Sequence, residues 1–433
     1  MILNHPGNGT RSQSLRGVNF RTSFKTGNNM DLGVSERVRP LLEAVRTFIT
    51  ERVLPVDEEF LEEVSNGDRW SLNERQSEII EGLKSAAREE GLWNFWLTDS
   101  ESGYGLNTVE YAWLAEETGR AHLAAEAFNC SAPDTGNMEV LERYGTEEQK
   151  EQWLKPLLDG KIRSAYAMTE PDVASSDATN ISTSAVLDNG EWVINGEKTY
   201  ISGAGDKRCK ILICMVKTNP ENNRHTQHSQ ILVPIDAPGV EIVRGMNVFA
   251  MDDAPHGHMH IRFKDVRVPE SNIILGPGRG FEIAQGRLGP GRIHHCMRAI
   301  GMAERALQLM CERAVSRTAF GRPIAKLGGN YDVIANARIN IDMARLLTLQ
   351  TAHVIDTEGV QVAQTWISKI KAMVPNIAIN VIDDAIQIHG AAGISQDFPL
   401  AAMYMNARTL RFADGPDEVH RMVVARHELR PYL

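Results

Sequence analysis

Three carboxylates crowd the segment ADGPDEVHR, where Asp414, Asp417 and Glu418 flank Gly415 and Pro416. A carboxylate held beside a weakly acidic C–H or O–H acts as a general base, and only one of the three can occupy such a position. Pro416 suits a first helical residue, Gly415 a cap, and Asp417 and Glu418 a first turn whose dipole favours negative charge. That leaves Asp414 just ahead of the helix, either as a loop acid or as the base. A second chemical segment is AYAMTEPDVASSDATN, in which Thr169, Ser175, Ser176 and Thr179 place hydroxyls at a bend. Free backbone amides and hydroxyls suit a polar heterocycle or a phosphate, although Ser and Asp are also plain turn formers. His256, His258 and His260 alternate, which puts three imidazoles on one strand face. No carboxylate or Cys partner is evident for them, so a half-exposed strand face is expected rather than a metal site.

The elements that must carry these residues follow from hydrophobic period. From Asp31 to about residue 162, stretches such as NERQSEIIEGLKSAAREEGLWNF repeat apolar residues at three and four, as amphipathic helices do. Thr146 and Gln149 form a capping-box pair, and Gly160 supplies a stop. Residues 163–275 change to short Val- and Ile-rich runs broken by Asn-Gly, Pro and Gly, the pattern of strands and turns. Residues 276–433 return to long helical periods with short connections, as in a bundle. The expected fold is α+β with three domains: an N-terminal helical domain (31–162), a middle β-barrel-like domain (163–275) and a C-terminal four-helix bundle (276–433). Residues 1–30 are basic, without acids and rich in Ser, Asn and Gly. They are expected to be a disordered or extended leader.

Composition excludes several classes. With 42% hydrophobic residues the chain can build packed cores, and a formal charge of -10 argues against a surface that tracks nucleic acid. The five cysteines are scattered without a CxxC pair, so no disulfide framework or thiolate metal site is expected. No apolar run reaches the length of a membrane span. The glycines of GPGRGFEIAQG follow no βαβ pattern and are expected to turn into a helix rather than bind a dinucleotide.

Taken in order, TEPDVASSDATN, NGEKTYISGAG, SRTAFGRPI, QIHGAAG and ADGPDEVHR resemble the flavin loop, the strand beneath the flavin, the helix-end Arg and Phe, the diphosphate turn and the base loop of the acyl-CoA dehydrogenase family. The resemblance covers residues 31–433 and is nearest to the branch called members ten and eleven. It implies FAD, an acyl-CoA thioester oxidised to the 2-enoyl product, electron-transfer flavoprotein as acceptor, and a homodimer or homotetramer. It implies Asp414 as the base, replacing the usual Glu. It also implies that Met168, Thr169, Ser175, Ser176, Tyr200, Ser202, Arg317, Phe320, Gln387, Gly390, Ala391 and Glu418 contact the flavin. Ser176, Arg292, His294 and Gly415 are implied to meet the substrate. Some relatives place their acid beside the arginine matched by Arg292, where this chain has Gly291. Other readings carried by the same resemblance are a flavin oxidase acting on nitroalkanes or acyl-CoA, and a non-catalytic flavoprotein binding module. A bacterial source implies the cytoplasm; a leader acting as a transit peptide implies the mitochondrial matrix.

Overall fold

The computed structural model describes residues 31–97 and 103–433. The leader over residues 1–30 therefore lies outside the described residues, and the residues from 32 onward form one unit. Helices come first: α1 (Arg39–Phe48), α2 (Leu54–Glu63), α3 (Glu74–Glu89), α4 (Thr108–Thr118), α5 (Ala124–Ala127), α6 (Asp134–Tyr144), α7 (Glu147–Gln149) and α8 (Lys155–Leu158). The starts are written in side chains. Asn73 and Asn107 accept from the N3 backbone of α3 and α4 while the N3 side chain returns the bond. The expected Thr146–Gln149 capping box forms at α7, and Gly160 turns the chain at φ +64° beyond α8.

A curled sheet follows, built from β1 (Arg163–Ala167), β2 (Ser184–Asp188), β3 (Glu191–Ser202), β4 (Cys209–Lys217), β5 (His228–Pro234), β6 (Val240–Gly245) and β7 (His258–Pro269). Its order is β1-β4-β2-β3-β7-β6, with β5 also paired to β4. Alternation sorts the faces: Met259, Ile261 and Phe263 of β7 join Trp192, Ile194, Leu212 and Val233 in one apolar core. Two irregularities in the β3–β7 ladder, at Ile194/Gly196 and Lys198/Ile201, bend β3 near the stretch Tyr200–Ser202.

The chain then enters α9 (Gly280–Ser316), α10 (Asn330–Glu358), α11 (Val360–His389), α12 (Leu400–Thr409) and α13 (Asp417–Leu429). The four long helices of the expected bundle are present, with the shorter α12 added between α11 and α13. Phe48, Phe128 and Leu114 of the first helices share a continuous core with Ile300, Ile341, Val374 and Ile382 of the bundle. Each such side chain removed from water contributes about 1.5–3 kcal/mol. Helices α4 and α9 touch backbone to backbone. A Cβ at Gly301 would stand 1.8 Å from the Glu116 carbonyl oxygen, and one at Gly119 would stand 2.0 Å from that of Arg298. The middle of α9, which carries Arg292, His294, His295 and Arg298, is thereby locked to the first helical section.

Candidate active site

Asp414 sits on a loop whose backbone is held from several sides. After α12, the Thr409 carbonyl accepts from the amides of Phe412 at 2.9 Å and Ala413 at 3.0 Å. The chain then reverses through Asp414 at φ +56° and Gly415 at φ +105° before Pro416, which precedes α13 as its extended N-cap residue rather than as the expected first helical residue. Asp is among the few side chains that tolerate the left-handed region. Lys371 of α11, fully buried, donates to the carbonyls of Leu410 and, at 3.2 Å, Gly415. Arg292 Nε donates to the Asp414 carbonyl at 2.9 Å, and His420 Nε2 lies 3.3 Å from the same oxygen. Among the described residues, none accepts from the Asp414 backbone N–H.

The Asp414 side chain turns inward, 15% exposed, with Oδ2 3.3 Å from His295 Nε2 on α9. Gly291 of α9 makes room for it: a Cβ there would stand 3.0 Å from Oδ2. Burial by itself pushes a carboxyl up, but the His295 hydrogen bond and the charges of Arg287 and Arg292 hold Asp414 well below the usual carboxylate range. It is a desolvated, ionised carboxylate. Burial, added to by the charges of Arg292 and Lys371, pushes His420 down to about 4. Burial also pushes the neighbouring His294 down to about 3, and its ring meets Tyr111 edge-on at 4.6 Å. Within the His294–His295 pair, the second imidazole is the one that faces Asp414.

Asp417 is different. It starts α13 as expected, yet it is only 2% exposed and its Oδ2 accepts from Arg411 Nε at 2.8 Å and Asn376 Nδ2 at 3.0 Å. Its role extends past the helix dipole to a buried anchor for the loop. Glu418, beside it, is exposed.

The sheet presents the other set of candidates. Behind the loop after β1, Glu170 and Lys198 form a buried ion pair at 2.8 Å. Glu170 also accepts from the amides of Ser182 at 2.8 Å and Thr183 at 2.9 Å, and Lys198 donates to the Met168 carbonyl at 3.0 Å. Ser175 is used within the loop, accepting from the Glu170 amide at 2.9 Å, whereas Thr169 and Ser176 are exposed. Tyr200 stands on the bend of β3 at φ +56° with its side chain 55% exposed. Ser202 Oγ lies 2.8 Å from His258 Nδ1, and His258 Nε2 lies 3.3 Å from Asp253 Oδ2.

The alternating histidines thus have carboxylate partners that the sequence did not reveal. His258 meets Asp253, and His260 Nε2 meets Glu197 Oε2 at 2.6 Å. His256 precedes β7, is half-buried, and is pushed by desolvation down to about 4. Among the described residues, no group of three or more His, Cys, Asp or Glu could hold a metal ion.

The remaining candidates lie at the ends of two bundle helices. Arg317 caps α9 and is exposed, and Phe320, at φ +52°, is 95% exposed. Gln387 lies in the last turn of α11, with Gly390 at φ +66° and Ala391 just beyond, all exposed. The structure therefore brings Asp414, Gly415, Arg292 and His295 together, and it distributes the other candidates over the sheet, the end of α9 and the end of α11. Arg287, Arg298, Lys371 and His420 were not foreseen around Asp414. Lys371 had a signal: it falls at the spacing of the buried residues Ile367, Val374 and Ala378, a core position for a charged side chain.

A helical section, a curled sheet and a helical bundle with a desolvated acid between them define an acyl-CoA dehydrogenase architecture. Residues 35–161, 165–266 and 278–429 match the N-terminal, middle and C-terminal domains of acyl-CoA dehydrogenase, and the chain belongs to that family. It is 56% identical over 352 residues to a Mycobacterium tuberculosis protein named probable acyl-CoA dehydrogenase FadE2, covering 81% of this chain and 86% of that one. It is 55% identical to acyl-CoA dehydrogenase family member 10 of Mus musculus over 403 residues, 92% of this chain but 37% of the relative. With member 11 of Homo sapiens it shares 51% identity over 90% of this chain and 50% of the relative. The chain thus spans half or less of these two longer relatives. Among solved structures, an acyl-CoA dehydrogenase-type protein from Mycobacterium abscessus superposes with a TM-score of 0.89 at 51% identity, covering 93% of this chain and all of the other. Butyryl-CoA dehydrogenase from Megasphaera elsdenii gives 0.75 at 25% identity, covering 92% and 100%.

Proposed function

We propose that this chain is an FAD-dependent acyl-CoA dehydrogenase in which Asp414 removes the α-proton of an acyl-CoA thioester. The observation that carries this reading is the Asp414 loop itself: a carboxylate 15% exposed and kept ionised, on a residue whose own N–H has no acceptor among the described residues. The α-proton of a thioester is a very weak acid, so its removal needs the emerging negative charge stabilised on the thioester oxygen. The Asp414 N–H is a donor placed one residue-length from the base that creates that charge. Arg292 and Lys371, by holding carbonyls on either side, keep this N–H and the carboxylate in fixed relation.

The residues present fit FAD. Tyr200 offers an exposed aromatic face on a bend, Gly390 has open space where a Cβ would stand, and Phe320 is an almost fully exposed ring that a planar partner would cover. Met168, Thr169, Ser176, Tyr200 and Ser202 would flank the ring system, Arg317 would meet the diphosphate of a second copy's FAD with Phe320 on the adenine, and Gln387, Gly390 and Ala391 would approach the diphosphate. When bound, the flavin supplies the acceptor for the β-hydrogen, which leaves as hydride. Electron-transfer flavoprotein as the final acceptor and a homo-oligomeric state belong to the same reading.

The test is a visible spectrum recorded without oxygen while a panel of acyl-CoAs is added. Bleaching of a flavin band by some thioesters supports the reading, and no bleaching by any overturns it. Admitting oxygen then separates a dehydrogenase, which recovers its colour slowly, from an oxidase, which turns over.

A further inference from the structure

His295 lies between two groups whose hydrogen-bonding roles are fixed. Its Nε2 is 3.3 Å from Asp414 Oδ2, and its Nδ1 is 3.3 Å from Arg298 Nη2. A guanidinium only donates, so Nδ1 must accept and the single ring proton must sit on Nε2, pointing at the carboxylate. An imidazolium would set an N–H of the ring against the Arg298 N–H. The ring is 17% exposed and rides on the part of α9 pinned against α4, so it has little freedom to turn away.

Resting on the reading of Asp414 as base, we propose that His295 is a positioning residue that assigns the two oxygens of Asp414: Oδ2 is held by the His295 N–H, and Oδ1 is left for the α-proton. Arg298 acts through it by enforcing the tautomer. In the step, the α-C–H bond breaks, its electron pair passes to the thioester enolate, and the proton forms an O–H bond at Oδ1. His295 and Arg298 keep their protons throughout. The arrangement solves a difficulty particular to this acid. Burial favours the protonated carboxyl, which cannot serve as a base, and a neutral donor stabilises the carboxylate without adding a second titrating charge.

Other groups face Asp414. Arg287 and Arg292 come from α9, Lys371 from α11, His420 from α13 and Tyr166 from β1. His420 contacts the Asp414 carbonyl and not its carboxylate, so replacing His295 alone isolates the side-chain bond. The experiment is the pH profile of anaerobic flavin reduction by an acyl-CoA that reduces the wild type, measured for His295→Leu, His295→Gln and Arg298→Met. In His295→Leu the acid limb should move up by about one pH unit or more, and the limiting rate should fall about tenfold, while acyl-CoA affinity changes little. In His295→Gln the side-chain amide donates again, and the limb should return most of the way. In Arg298→Met the ring is free to ionise, and a new limb should appear between about pH 5 and 8. An unmoved limb in His295→Leu, or a His295→Gln profile equal to that of His295→Leu, overturns the proposal. Should His295→Leu fail to fold, an unchanged Arg298→Met profile overturns it alone. A wild type that no acyl-CoA reduces sinks instead the functional reading beneath it.

Discussion

The two sides of the site solve opposite problems. On the bundle side, Asp414, His295, Arg292, Lys371 and His420 are drawn into a knot in which the Asp414 carbonyl and Oδ2 have named partners, while its N–H has none among the described residues. On the sheet side, Thr169, Ser176 and Tyr200 are left open, and the buried polar groups, Glu170 and Lys198, stand behind the loop and brace it. A proton-abstracting acid needs a fixed, water-poor setting, whereas a large planar cofactor needs exposed surface with a stiff backing. The same fold supplies both settings by burying charge around the Asp414 loop and hiding it one layer back behind the open residues of the sheet.

The comparison can be broken at its strongest point first. Asp414→Asn keeps the shape and removes the base, so acyl-CoA-driven flavin reduction should fall by about 10²- to 10⁴-fold, with thermal stability unchanged or raised. Stopped-flow absorbance and a melting curve on the same sample test this, and retained reduction would sink the assignment. On the sheet side, Lys198→Met leaves Glu170 buried without its counter-charge, which should cost about 3–5 kcal/mol by denaturant unfolding and lower the flavin content of the purified protein. If flavin content and stability both hold, the brace is unnecessary. Asp417→Asn separates the two acids of one loop: it should lose about 1–3 kcal/mol because Arg411 loses its carboxylate, yet the folded fraction should still be reduced by substrate.

The smallest effect is a pH dependence of stability. His256 and His420 titrate at about 4 and His294 at about 3 when folded, against roughly 6.5 for an unfolded histidine. Below about pH 6.5 the unfolded chain binds protons that the folded chain refuses. Their contribution is therefore complete above that pH and is lost progressively towards pH 4. Glu139, pushed by burial up to about 7, works in the opposite direction over part of this window. Burial also pushes His228, His295 and His389 down and Glu116 and Asp384 up, so the groups that lose outnumber those that gain, and denaturant unfolding at pH 5 should give a lower midpoint than at pH 7. An equal or higher midpoint would show that these imidazoles are not held neutral.

Much of the architecture was legible because it is local. The Thr146–Gln149 box, the Gly160 stop and the change of period near residue 163 each depend on residues a few positions apart. Asp414 stood out through a motif and not through physics, since the same letters describe an ordinary helix start. What stayed hidden is long-range. Glu197 reaches His260 from a neighbouring strand, and Arg298 orients His295, which in turn meets an acid 119 positions further along the chain. Spacing says which face a residue shares, and it says nothing about what the fold later brings opposite. For that reason the sequence reading picked His294 for the site, whereas the imidazole that faces Asp414 is that of His295 and His294 packs on Tyr111.

Gly291 leaves a further mark on the site. A side chain beginning there would crowd Asp414 Oδ2, 3.0 Å from where its first carbon would stand. Helix and loop therefore compete for one seat, and an acid on the helix would have to displace the one in the loop. A chain with an acid at both positions would set two carboxylates against each other within one buried pocket of α9 and the loop.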